Sequence, residues 1–268
     1  MCRLLALWRI DAKLLSELVG ALESASRRDF IAEKLRLRAI RHDDGWGYAL
    51  AYRRAGALTI AVYKSRRPMW EDEASFPSTG LVYGVVHTRK ASHKMPIGGF
   101  TAHPFPISLP DGSVAFVAQN GGMNREGALK LLGVELDVSR VSDTLLYSLL
   151  LAKLYGEECG EPLERLFRAL RRLHEKAYEE GLISRCANTA VLLVSPGEAV
   201  SLAVVRAQYY EKLNEYYDLY RCELGDGVVY ASSTVARVLA RRGYDFSRLE
   251  GNEVIVHADE GERRAKIP

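Results

Sequence analysis

The sequence predicts an α+β fold in which sheets pack against one another and helices cover them from outside. Three observations predict it. Short β-rich runs fill the first 120 residues and return after residue 187; two long stretches with leucine and alanine at helical spacing lie between them; and no strand-helix-strand alternation marks a parallel sheet. A chain of 268 residues that is 48% hydrophobic can bury a substantial core. No repeat, low-complexity segment or linker divides it, so residues 1–268 read as a single domain.

The opening run "CRLLALW" suits a buried strand, and Asp11 is placed to cap a helix through "AKLLSELVGALESASRR". "GWGYALAYRRAGALTIAVYKS" reads as two strands joined by a turn at Gly56, and "GLVYGVVHT" as another buried strand. Gly, Pro and His crowd the segment from Lys90 to Pro106, which predicts irregular backbone of the kind that often carries chemistry. After the turn "LPDGS" comes the strand "VAFVAQN", then helices over "SDTLLYSLLLAKLYG" and "EPLERLFRALRRLHEKAYEEG". The runs "NTAVLLVSP", "AVSLAVVRA", "GVVYASS" and "EVIVHA" complete the strands. Between them, the tyrosine-rich "YYEKLNEYYDLYR" suits either interface anchors or an extended edge segment with half-buried rings.

Composition removes several function classes. The 37 basic and 34 acidic side chains are scattered, with no basic stripe to track phosphates, so no nucleic-acid partner is expected. No apolar run approaches the roughly 20 residues that span a bilayer, and the start lacks a basic-then-apolar secretory pattern; no membrane association and a cytoplasmic location are expected. Cys2, Cys159, Cys186 and Cys222 are far apart and form no CxxC pair, which argues against a zinc cage or a disulfide scaffold.

Cys2 directly follows the initiator methionine. Once Met1 is removed, one residue carries a thiol and a free α-amine. The amine has a reference pKa of about 7.7–8.0, against about 10.4 for lysine, so near neutrality a fraction is free to accept the thiol proton and later to protonate a leaving amine. The plain alternative is a small apolar residue opening a strand. Three further segments supply what such a nucleophile needs. Arg89, in "VVHTRKASH", can present its guanidinium fork to a substrate carboxylate. Asn120 and Gly121, in "AFVAQNGGMN", can offer a side-chain and a backbone N–H to a developing oxyanion, although Asn-Gly also makes ordinary turns. Asp143, in "SDTLL", can bind a substrate ammonium or simply serve the first turn of a helix.

Taken together, Cys2, "DGWG" at 44–47, "HTR" at 87–89, "AHPF" at 102–105, "NGG" at 120–122 and "SDT" at 142–144 resemble the class II glutamine amidotransferase domain, a member of the N-terminal-nucleophile hydrolases. The resemblance implies a four-layer αββα sandwich with Cys2 as nucleophile and its amine as base. By motif position, Asn120 and Gly121 hold the oxyanion, Arg89 the glutamine α-carboxylate and Asp143 the α-ammonium. Gly47 and the backbone around Trp46 would shape the nucleophile pocket, and His87 falls at a substrate-binding position. Two departures stand out: Gln119 precedes Asn-Gly where many members have His, and Lys90 follows Arg89 where relatives often have Trp.

The family implies no cofactor and no metal. Its small-molecule substrate is glutamine or another γ-glutamyl compound, with an ammonia-using synthetase as candidate partner and a homo-oligomer left open. No second synthase domain is expected in this length, which suits a stand-alone form. Competing readings are hydrolysis of γ-glutamyl peptides, a catalytically silent partner-binding subunit, and a metal hydrolase built on His87, His93 and His103. His42, His174 and His257 are expected to be solvated or capping residues, and Asn188 and Arg206 to be strand residues supporting the pocket.

Overall fold

Along β1 (Cys2–Asp11) side chains alternate between two apolar environments: Leu5 and Leu7 pack with helical residues, whereas Leu4, Ala6 and Trp8 pack with residues of a second sheet. A strand covered on both faces reads as an unbroken apolar run, which is why "LLALW" lacks a polar face. The computed structural model describes residues 2–92 and 95–268.

In chain order, β1 is followed by α1 (Ala12–Arg27), α2 (Phe30–Lys34), β2 (Trp46–Arg54), β3 (Ala57–Ser65), β4 (Leu81–Arg89), β5 (Phe105–Ser108) and β6 (Val114–Gly121). Then come α3 (Arg125–Leu132), α4 (Asp143–Glu157), α5 (Pro162–Glu179), β7 (Ala187–Val194), β8 (Val200–Arg206), α6 (Asn214–Tyr217), β9 (Leu219–Leu224), β10 (Gly227–Ser232), α7 (Ser233–Ala240), β11 (Ser247–Arg248), β12 (Glu253–Ala258) and β13 (Gly261–Lys266). Among the described residues the strands form two antiparallel sheets, ordered β11-β9-β10-β1-β4-β2-β3 and β13-β12-β8-β7-β6-β5.

The sheets face each other through Leu4, Ala49 and Val85 on one side and Phe116, Leu192 and Val204 on the other. On the outer face of the first sheet, Leu15, Leu18 and Leu22 of α1 and Leu239 of α7 cover Leu7, Leu50 and Val86. Leu146, Leu150, Leu166 and Leu170 of α4 and α5 cover Val117, Val191 and Val205 of the second sheet. The layers therefore run helix, sheet, sheet, helix, as expected from the sequence.

Some details differ from expectation. Two short helices are added, α3 shortly after β6 and α7 directly after β10, and β13 adds a polar edge strand to the second sheet. The tyrosine-rich stretch is not extended at its start: it turns through Glu211–Leu213 and α6, and buries Tyr216 and Tyr217. His42, His174 and His257 are neither solvated nor capping. All three are buried, hydrogen-bonded to Asp29 Oδ2 (2.9 Å), Tyr147 Oη (2.9 Å) and Tyr230 Oη (2.7 Å) respectively. Burial disfavours the imidazolium, lowering their pKa values to about 4, about 3 and about 4.

A buried ion pair ties the start of β1 to the helix layer. Arg3 Nε donates to Asp29 Oδ2 at 2.6 Å, Arg3 Nη1 donates to the Tyr216 carbonyl at 3.0 Å, and the guanidinium lies 4.0 Å from the Tyr216 ring centroid. Asp29 also accepts from Ala32 N and from Thr234 Oγ1. Burial opposes its charge, but Arg3 and these donors outweigh that and hold the carboxyl well below its ordinary range. Asp29→Ala should destabilise the fold by about 3–5 kcal/mol, because it strands a buried guanidinium without its counter-charge. Denaturant unfolding of the variant measures this; a loss under about 1 kcal/mol would mean that solvent reaches Arg3.

Candidate active site

The register of β1 against β4 sets Cys2 opposite Arg89, and that of β2 against β4 sets Gly47 opposite His87. With a side-chain period of two, Cys2, Leu4, His87 and Arg89 share the face turned toward the second sheet. There β6 ends at Asn120 and Gly121, paired with Asn188 and Ala187 of β7. The backbone N of Cys2 donates to Asn120 Oδ1 at 3.1 Å, joining the two sheets at this end. Because Oδ1 is the end of the amide that faces Cys2, the donor Nδ2 is the end left for other partners.

Gly121 is a glycine for steric reasons. Its φ is +147°, and a Cβ there would lie 1.9 Å from the Cys186 carbonyl oxygen. The Cys186 carbonyl accepts instead from Gly122 N at 2.9 Å, and Cys186 Sγ donates to the Asn120 carbonyl at 3.3 Å, which pins the Asn-Gly-Gly segment from both sides. Asp143 follows the capping Ser142 as the first residue of α4, and its Oδ2 would lie 2.9 Å from a Cβ on Gly122. Its Oδ1 accepts from Thr144 N at 2.9 Å. Burial raises the Asp143 pKa, against the pull of that N–H, of the amino terminus and of Arg89.

Arg89 is 4% exposed, and its Nη1 donates to the Pro96 carbonyl at 2.9 Å and to Thr101 Oγ1 at 3.1 Å. The irregular segment after β4 thus folds back over the guanidinium. Lys64, opposite Gly47 in the β2/β3 register, donates to the Phe100 carbonyl at 3.1 Å and has its pKa lowered to about 8 by burial and by the Arg89 charge. Gly47 itself lies under this segment: a Cβ would meet the His103 carbonyl oxygen at 2.6 Å.

The Cys2 thiol is acidified. Burial raises its pKa, but the charge of the amino terminus and the charge and hydrogen bonding of His87 outweigh it, leaving about 6 against the ordinary 9.0. A substantial thiolate fraction at neutral pH follows.

The structure thus gathers Cys2, Gly47, His87, Arg89, Asn120, Gly121 and Asp143 at one end of the sheet-sheet interface. It does not bring the Trp46 ring there: that side chain lies on the helix-facing side of the sheet, with Nε1 donating to Asp72 Oδ2 at 3.0 Å. Asn188 Nδ2 donates to the Tyr217 carbonyl at the end of α6, and Arg206 Nη1 to the Gly251 carbonyl in the loop before β12. His87 and His103 stand together, with Nε2 and Nδ1 3.0 Å apart, while His93 lies outside the described residues. Among the described residues, no three His, Cys, Asp or Glu side chains are grouped to hold a metal.

Strand order and layering define an α+β fold of two facing antiparallel sheets with helices outside. Its likeness to solved structures is to class II glutamine amidotransferases. Glutamine phosphoribosylpyrophosphate amidotransferase from B. subtilis, complexed with ADP and GMP, superposes with a TM-score of 0.55 at 15% identity, over 99% of this chain and 49% of that one. A glutamine aminotransferase class-II domain protein from Silicibacter pomeroyi superposes with a TM-score of 0.50 at 14% identity, over 99% of this chain and 98% of that one. The chain therefore has the class II amidotransferase fold and spans about half the length of the B. subtilis enzyme. No family model matches the chain, and no curated protein matches it by sequence. Among the described residues no helix is long and apolar enough to cross a membrane.

Proposed function

We propose that residues 1–268 act as one class II glutamine amidotransferase-type domain that hydrolyses the γ-amide of glutamine through an N-terminal cysteine. The observation that carries the reading is the convergence of an acidified Cys2 thiol with Asn120 across the two sheets, beside Arg89 and Asp143. Removal of Met1 exposes the Cys2 amine. The thiolate attacks the γ-carbonyl carbon, and the oxyanion is met by Asn120 Nδ2 and the Gly121 N–H. The C–N bond breaks as the leaving nitrogen takes a proton and departs as ammonia, and water then releases glutamate from the γ-glutamyl thioester. Arg89 binds the α-carboxylate and Asp143 the α-ammonium. In this reading the protein works in the cytoplasm, where an ammonia-using synthetase is its partner.

The test is covalent labelling of Met1-processed protein by the glutamine analogue 6-diazo-5-oxo-norleucine. Expected is stoichiometric modification of Cys2, absent in Cys2→Ala, together with ammonia release from glutamine. No label at Cys2 and no glutamine turnover would end the proposal. Turnover of γ-glutamyl dipeptides at a far higher kcat/KM than glutamine would keep the thioester and change the leaving group.

A further inference from the structure

His87 is fully buried, and its Nε2 lies 3.1 Å from the Gln119 carbonyl oxygen and 3.0 Å from His103 Nδ1. The carbonyl can only accept. His103 Nδ1 already receives the Gln119 N–H at 3.4 Å, so it is an acceptor too. Burial, reinforced by the His87, Arg89, Lys64 and amino-terminal charges, keeps the His103 ring neutral. The ring proton of His87 therefore sits on Nε2, which leaves Nδ1 as a lone pair. That Nδ1 is buried with no hydrogen-bond partner among the described residues. Meanwhile His87 and Cys2 are diagonal neighbours on one face of the β1/β4 pair, close enough for the imidazole to help lower the thiol pKa.

We propose that Nδ1 of His87 accepts the thiol proton of Cys2, so that nucleophile activation uses a side-chain base inside the sheets as well as the α-amine. The inference rests on the thiol reading above. The S–H bond breaks as Nδ1–H forms; the imidazolium then donates through Nε2 to the Gln119 carbonyl or to His103. As the C–S bond forms and the C–N bond breaks, the same proton passes from Nδ1 to the departing nitrogen, completing ammonia. The charged and titratable groups facing the Cys2–His87–His103 cluster are the amino terminus, Arg89 from β4 and Lys64 from β3.

Processed wild-type protein and His87→Gln are compared by iodoacetamide alkylation of Cys2 across pH. At about pH 6.5 the variant should react at least about tenfold more slowly, with equal rates near pH 10, because only thiolate reacts. Its kcat for glutamine should fall while KM stays within about twofold. Equal alkylation of both proteins near pH 6.5 overturns the proposal. Failure of the wild type to take the γ-glutamyl label would instead sink the parent reading, since the alkylation comparison needs no substrate. Should His87→Gln not fold, ¹⁵N-histidine NMR of wild type and Cys2→Ala decides. An imidazolium pattern at neutral pH in the wild type that becomes the neutral Nε2–H form in Cys2→Ala supports it, and identical ring signals overturn it.

Discussion

Asn120→Asp is expected to lower glutamine turnover by about 10²–10³-fold with little change in KM. The substitution keeps an oxygen for the Cys2 N–H, which the Asn120 Oδ1 accepts at 3.1 Å, so the link between the sheets survives. What it removes is the donor nitrogen, and it sets a negative charge where the tetrahedral intermediate also becomes negative. The oxyanion exists only beyond the ground state, so the loss belongs in kcat. Gly121→Ala should reach the same end by another route: a Cβ 1.9 Å from the Cys186 carbonyl, on a backbone with φ of +147°, forces β6 from β7 and turns the Gly121 N–H away. Steady-state ammonia release checks both. Turnover of Asn120→Asp within about tenfold of wild type would place the oxyanion elsewhere.

The second large effect is acid unfolding well above the carboxylate range. His42, His174 and His257 have folded-state pKa values of about 4, about 3 and about 4, and that of His103 also lies well below the ordinary 6.5, burial being the first cause in each case. In the unfolded chain these rings take protons near 6.5, whereas the native state refuses them until far lower pH. Stability is therefore full above 6.5 and falls as the pH drops toward 4, by about 1.4 kcal/mol per pH unit for each histidine that differs, or about 5 kcal/mol per pH unit for four. The depressed Asp29 carboxyl adds to the loss at still lower pH, since its contribution is present above the ordinary carboxylate pKa and disappears as it protonates. Thermal unfolding followed by circular dichroism from pH 7.5 to 4.5 should show a steep fall in midpoint below about pH 6. A flat profile down to pH 5 would mean that the rings are hydrated or repaired by unseen partners.

Most of the layered architecture was legible because it follows from periodicity. The leucines of α1 and α5 recur at helical spacing, and β1, β4, β7 and β10 each carry a central apolar run because both of their faces are covered. The missed elements carry weak periodicity: α3 and α7 have eight residues each, and α7 begins without a turn right after β10. β13 is an exposed edge strand, "GERRAK", with no apolar alternation to read. In the site, Cys2, Arg89, Asn120 and Asp143 were suggested by local motifs, and the structure places them at one end of the sheet-sheet interface. The Arg3-Asp29-His42-Thr234 cluster was not, because Thr234 reaches Asp29 across 205 residues of chain. One signal was present: an arginine inside the apolar run "CRLLALW" demands a buried counter-charge. The alternation of β2 likewise separates Gly47 from the Trp46 ring, and the motif alone conceals this.

β1 lies between β4 and β10, and Leu4 N donates to Ser232 Oγ at 2.8 Å. During ribosomal synthesis its first neighbour emerges early, but its second only when most of the polypeptide has left the tunnel. β1 thus gains its second hydrogen-bonded neighbour late, and in a nascent chain it is held along one edge alone until β10 docks.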